Sequence, residues 1–151
     1  MFNSQLSIIF ERIENDLFSM PSLYKLSTHF IALVWLINGL LAKVLNLVPR
    51  HELIVQTIFQ DFIDIEIAFY LTKLIGISEI ILAFWIVSGY KSRLVAILQI
   101  ILVMSMNIIE FTLVDDLLLF GKWNLLLALG FSLFIYWNEF GAKNNSKTEP
   151  K

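Results

Sequence analysis

WLINGLLAKVLNLVPRHE, residues Trp35 to Glu52, is the stretch on which the reading of this chain turns. It opens as an apolar helix. It carries Asn38, Lys43 and Asn46 where lipid would reject them, then breaks at Pro49 into Arg50-His51-Glu52. Gly39, Ala42, Lys43 and Asn46 fall within roughly 100° of a helix circumference. A small-and-polar stripe on an otherwise apolar helix is what packs against other helices inside a bilayer. Extended back to Leu26 and on to Val48, the run is long enough to cross about 30 Å of hydrocarbon.

Composition agrees. Of 151 residues, 58% are hydrophobic and 16% charged. Soluble domains run at about 45–50% and about 25%. Mean hydropathy is +0.75. A net charge of −2 gives a nucleic-acid partner no electrostatic basis. The absence of cysteine excludes disulfides, thiol chemistry and cysteine-held clusters. The two histidines, His29 and His51, stand at opposite ends of the first span, about 33 Å apart on a helix, too far to share one haem within the chain.

Three further spans come after it, at about residues 69–88, 94–114 and 117–137. Each has its own inward stripe: Thr72, Gly76, Glu79 and Ala83; Gln99, Val103, Met106 and Glu110 with Asn107 nearby; Gly121, Asn124, Ala128 and Ser132. Residues 1–24 hold an amphipathic segment, Phe2 to Leu17, expected to lie on the membrane surface. Glu11, Glu14 and Asp16 interrupt any apolar core of a secretion leader there. A second amphipathic segment, residues 52–64, is expected to lie in the interface over one bundle end. The polar stretch from Glu139, and with it residues 141–151, reads as a disordered tail. The fold class is therefore an all-α integral membrane four-helix bundle, with the four-span domain at residues 25–140.

Orientation is set by basic residues. Arg12, Lys25, Lys91, Arg93, Lys143, Lys147 and Lys151 lie on one side of the four-span arrangement. The other side holds only Arg50 among several acidic residues. The positive-inside rule places both termini in the cytoplasm, and the protein in the cytoplasmic (inner) membrane.

With that topology the polar groups converge near the outer leaflet. Lys43, Lys73, Glu110 and Lys122 lie within about 8 Å of the outer boundary. Asn107 and Asn124 sit slightly deeper, Glu79 sits near mid-membrane, and Arg50, His51 and Glu52 lie above. Only Gln99 belongs to the inner half. Each charge costs roughly 2.5–3.5 kcal/mol at a helix centre and less near the ends, so Glu79 and Glu110 must find partners or neutralise. Lys73 and Lys122 lie off the inward stripes and are expected to snorkel. The inward set fits two descriptions: a ligand pocket, or a structural network in which Lys43 or Arg50 pairs with a glutamate. As a pocket its contacts are Lys43, Asn46, Arg50, His51, Glu79, Asn107, Glu110 and Asn124. No metal-ligand spacing, phosphate loop or hydrolytic triad is present.

Several ordered motifs carry a family likeness: Trp35-Leu36-Ile37-Asn38-Gly39-Leu40 with Lys43-Val44-Leu45-Asn46; Pro49-Arg50-His51-Glu52; Gly76-Ile77-Ser78-Glu79; Trp85 with Ser88-Gly89; Met106-Asn107-Ile108-Ile109-Glu110-Phe111; and Asp116 to Asn124. In these motifs the chain resembles the DoxX-like family of small four-helix membrane proteins, over about residues 25–140. The shared depth of the polar residues points to a seat for a lipophilic or polar ligand, and the resemblance adds quinone as the candidate cofactor. It also implies membrane lipid around the bundle and a membrane or peripheral protein partner in a redox-linked complex. The chain is then a quinone-facing or anchoring subunit, without catalysis of its own. Two rival readings stand beside this one: a small proton-coupled transporter, weakened by the lack of polar groups in the inner half, and a purely structural assembly subunit.

Overall fold

The computed structural model describes residues 20–118, 120, 121 and 123–143. The amphipathic segment at 2–17, Lys122 and residues 144–151 lie outside the described residues. Helix α1 is Met20–Leu36 and continues without a break as a wider π-helical stretch, Ile37–Val44. Helix α2 is Arg50–Phe59, α3 Ile65–Ser88 and α4 Ser92–Leu113; a 3-10 turn occupies Asp115–Leu117. Helix α5 is Trp123–Tyr136, prolonged as a π-helical turn over Trp137–Ala142. No strand occurs among the described residues.

Among the described residues, four helical stretches are long and apolar enough to cross a bilayer: Leu23–Val44, Ile65–Ser88, Ser92–Leu113 and Trp123–Ala142. The protein is a multi-pass, all-α membrane bundle. The apolar side chains that face outward, among them Phe84, Leu74, Ile101 and Leu133, are exposed because lipid, not water, is their solvent. The interior is built from Ile31, Ala32, Trp35, Leu82, Ala83, Val95, Ala96 and Ile135.

Span boundaries shift from the sequence reading at several points. The first span ends at Val44, not Val48. Leu45 donates its N–H to the Leu40 carbonyl (2.9 Å), the five-residue step of a π turn, and Asn46 then takes φ = 49°. Asn is among the few residues that enter the left-handed region readily. Asn46 therefore leaves the stripe of Gly39, Ala42 and Lys43 and sits in the connection to α2. The second span begins at Ile65, four residues early. The fourth begins later, at Trp123, because Gly121 at φ = 53° turns the chain first. It also runs on to Ala142, through residues read as a tail. The Glu139 carboxylate, 5% exposed, is neutralised by Lys143 one turn later (2.7 Å) and accepts a hydrogen bond from Ser92 Oγ (2.7 Å).

Helices α1 and α3 pack most closely. Gly39 and Gly76 meet backbone to backbone: a Cβ on Gly39 would lie 2.5 Å from the Gly76 carbonyl oxygen, and one on Gly76 would lie 2.7 Å from the Gly39 oxygen. Small residues at such a crossing admit the dispersion contacts and close approach that hold helices together in lipid. Helix α4 pairs chiefly with α5. Helix α1 meets the π turn of α5 at the end of the bundle that carries Met20 and Ala142, here the terminal end. Gly39→Ala and Gly76→Ala should each destabilise the bundle by about 1–3 kcal/mol, since the neighbour is backbone and cannot yield. Gly130→Ala, with nothing within 4 Å of its new methyl, should be neutral or stabilising by up to about 1 kcal/mol. Thermal unfolding in detergent compares the three.

Candidate functional site

The glycine crossing positions a buried ion pair. Lys43 lies one turn beyond Gly39, and Glu79 nearly one turn beyond Gly76, so both side chains start beside the contact. Lys43 Nζ bonds both carboxylate oxygens of Glu79, at 2.6 and 2.7 Å, and both side chains are 6% exposed. This is the partner that each charge requires in lipid. A pair so enclosed gains little net stability, but losing one member strands the other.

Away from the terminal end a cleft of about 640 Å³ opens. One wall is α1 and its π stretch, with Trp35, Ile37, Asn38, Leu41 and Ala42. The facing wall is α5 and the turn before it, with Phe120, Asn124, Leu127 and Phe131. Val103, Met106, Asn107 and Glu110 of α4 form the back, the Lys43–Glu79 pair lies in the interior, and Arg50 and His51 of α2 cover one end. The mouth carries exposed Ile37, Leu41, Phe120 and Leu127, a surface suited to lipid rather than water.

Seven of the eight sequence-nominated residues come together here: Lys43, Arg50, His51, Glu79, Asn107, Glu110 and Asn124. Asn46 does not. Its amide donates to Glu52 Oε2 at 3.0 Å, tying the left-handed turn to the first turn of α2. Lys73 lies over the Phe69 ring at 4.3 Å, clear of the cleft. The seven differ in what they can offer. Lys43 and Glu79 are committed to each other. Asn107 spends its Nδ2 on the Val103 carbonyl (2.9 Å), and the Oδ1 of Asn124 accepts from the Phe120 N–H (3.3 Å); among the described residues the Oδ1 of Asn107 and the Nδ2 of Asn124 have no partner. Glu110 has no hydrogen-bond or ion-pair partner among the described residues, and Arg50 Nε is buried without one. The cleft thus presents acceptors on α4 and donors on α2 and α5. Burial, then the charges of Lys43 and Arg50, push His51 down to about 4, so its ring is neutral at pH 7.

These helices match a known pattern. The profile of the DoxX-like family aligns with residues 32–137, from mid-α1 into the π turn of α5. The chain belongs to the DoxX-like family. Among curated proteins and solved structures no match is found. The DoxX-like match spans every residue of the cleft.

A second polar cluster escaped the sequence reading. At the terminal end Glu139 accepts hydrogen bonds from Ser92 Oγ, Lys143 and, at 3.4 Å, the Tyr24 hydroxyl. Asn138 Nδ2 donates to Thr28 Oγ1 (3.1 Å), and Lys143 also donates to Ser92. Deeper, Trp35 Nε1 donates to Gln99 Oε1 at 2.9 Å. The terminal half of the bundle, where the sequence offered only Gln99, therefore holds further polar groups. The available signal was periodicity: Ala128, Ser132, Ile135, Glu139 and Ala142 continue one helical stripe past Trp137.

Glu79→Gln should cost about 3 kcal/mol by leaving Lys43 unpaired, and Lys43→Met combined with Glu79→Leu should recover most of that loss in the same unfolding assay. For His51, the ring carbon shifts in an NMR titration should move with a midpoint near 4. An unfolded ring titrates near 6.5, so stability should fall as pH drops from about 6.5 towards 4, where only the unfolded chain takes up the proton. A folded-state midpoint near 6.5 would mean a solvated ring.

Proposed function

We propose that this DoxX-like protein binds a small amphipathic ligand of the quinone class in the cleft between α1 and α5. The carrying observation is the pairing of an apolar, laterally open mouth with donors on α2 and α5 and acceptors on α4 that have no partner among the described residues. Ligand pockets are mostly apolar, with a few placed polar groups that fix orientation, and about 640 Å³ lies within their usual range of roughly 300–1,000 Å³. A ring with two carbonyls finds donors in Asn124, Arg50 or His51. Its reduced, hydroxylated form finds acceptors in Glu110 and Asn107. Glu110 is the group placed to accept a proton. The lipophilic tail runs out between Leu41 and Leu127 into the bilayer. Electrons, in this reading, come from a membrane or peripheral protein partner, and the chain supplies the seat. Lys43, nominated from the sequence as a direct contact, lines the interior of the cleft while bonded to Glu79.

A proton-coupled carrier is the second reading. The cluster around Glu139 favours it, because it supplies the polar groups at the opposite end that the sequence reading lacked. A purely structural subunit is the outcome to which a failed binding experiment points.

The test uses protein in nanodiscs with Trp85, Trp123 and Trp137 replaced by Phe, leaving Trp35, which borders the cleft, as the reporter. A short-chain quinone should quench its fluorescence saturably. Glu110→Gln and Asn107→Leu should each weaken the binding about tenfold, the scale of one hydrogen bond to a buried ligand group. Quenching that never saturates, or is identical in both variants, overturns the assignment.

A further inference from the structure

Two of the cavities follow each other along α1, the smaller ending at Ile31 and the larger starting at Val34, with Trp35 and Gln99 at the step between them. The larger is the cleft. The smaller, about 20 Å³, is lined by Thr28, Ser92, Gln99, Asn138 and Glu139. Trp35 borders the first and Gln99 the second. They are 5% and 4% exposed and joined by the 2.9 Å hydrogen bond from the indole N–H.

The smaller cavity has room for one water molecule, and it has a polar atom that needs one. Asn138 Oδ1 is buried without a hydrogen-bond partner, and its residue is only 5% exposed. Ser132 Oγ is likewise buried and unpartnered; its residue stands one turn from Ala128, which lines the cleft, and one turn from Ile135, which lines the small cavity. Apart from Tyr24, the rest of the small cavity's lining is apolar, with Ile31, Ile86, Val95, Ala96 and Ile135, so an unsatisfied polar atom there is costly. At the terminal end the small cavity leads to Glu139 and Ser92, and on to Lys143, whose side chain is 23% exposed.

We propose that this polar axis is a proton route between the two sides of the membrane, closed by Trp35 against Gln99. The route runs from the cleft, where Glu79 and Glu110 face Lys43, Arg50 and His51, past Trp35 and Gln99 to the water beside Asn138. From there it reaches Glu139, which faces Tyr24, Ser92 and Lys143. A proton entering one end is matched by a proton leaving the other, and no other bond changes. Hopping requires each member of the chain to accept as well as donate, and an indole N–H only donates. The observed conformation is therefore shut. It opens when Trp35 turns away and water takes the indole's place against Gln99.

This inference goes beyond the carrier reading, and the experiment separates the two. Proteoliposomes with a pH-sensitive dye inside and a potassium diffusion potential across the membrane report proton flux with no ligand present. The wild-type protein should leak within about twofold of empty vesicles. Trp35→Ala should raise flux at least tenfold. Adding Asn138→Leu, which fills the small cavity, or Glu139→Gln should return it towards the wild-type rate. Folding of each variant is checked by gel filtration and circular dichroism; should Trp35→Ala fail that check, Gln99→Ala opens the same partition from its other side and is read in the same way. A folded opening variant with wild-type flux overturns the proposal. So does a raised flux that neither inner-cavity substitution lowers, which would place the leak elsewhere. Quinone counterflow is measured on the same vesicles. A route that opens without counterflow removes the carrier reading and leaves the proton route standing; counterflow without an opened route does the reverse.

Discussion

The contact between Gly39 and Gly76 is the constraint on which the rest of the bundle depends. Two backbones in van der Waals contact leave no room for side chains between them, so the side chains one turn further along each helix are forced into the same small volume. On α1 that is Lys43, and on α3 it is Glu79. Neither charge tolerates hydrocarbon alone, and the cost of separating them exceeds what either gains from lipid. The glycines supply proximity and the charges supply register. A shift of α1 against α3 by one turn, about 5.4 Å, would break both at once.

With α1 held to α3, and α5 held to α4, the two pairs meet fully only at the terminal end. There Tyr24 and Thr28 of α1 reach Glu139 and Asn138 of α5, and Ser92 closes the group from α4. At the other end no comparable polar contact joins α1 to α5 among the described residues. The side chains that face each other across that gap are Ile37, Leu41, Phe120 and Leu127, with polar groups only behind them. The cleft is thus a consequence of where the bundle is tied. The π-helical stretch adds to it: Ile37–Val44 widens α1 beside the opening, and such irregularities are frequent at functional sites.

Much of this was legible in the residues. The spacing of Gly39 to Lys43 and of Gly76 to Glu79 marked two inward faces, and a carboxylate and an ammonium deep in apolar helices could be expected to meet or to serve a site. The family likeness, the helical class and the number of spans came from hydropathy and from ordered polar motifs. The features that were not legible depended on backbone detail or on distant partners. Asn46 lies on the same stripe as Lys43 only if the α-helix continues, and a π turn with a left-handed Asn removes it from that stripe. Glu139 looked like the start of a tail because hydropathy weighs each residue alone. Its burial depends on Ser92, 47 positions away, and on Tyr24, 115 away. The Trp35–Gln99 bond joins residues 64 apart and leaves no local trace in either helix.

The two polar regions differ in a way that bears on their roles. At the terminal end most groups are spent on one another: Glu139 on Ser92 and Lys143, Asn138 Nδ2 on Thr28. That is the pattern of a clasp, with Asn138 Oδ1 left over and facing space for one water. In the cleft the opposite holds. Apart from the Lys43–Glu79 pair, the polar groups are only partly bonded or unbonded among the described residues, and they line a volume some thirty times larger than the small cavity. Unspent donors and acceptors in a membrane interior are costly unless something arrives to use them. A structural network lowers that cost by closing on itself, as the clasp does. The cleft stays open, and an open polar surface behind an apolar mouth is suited to a molecule that is itself apolar at one end and polar at the other.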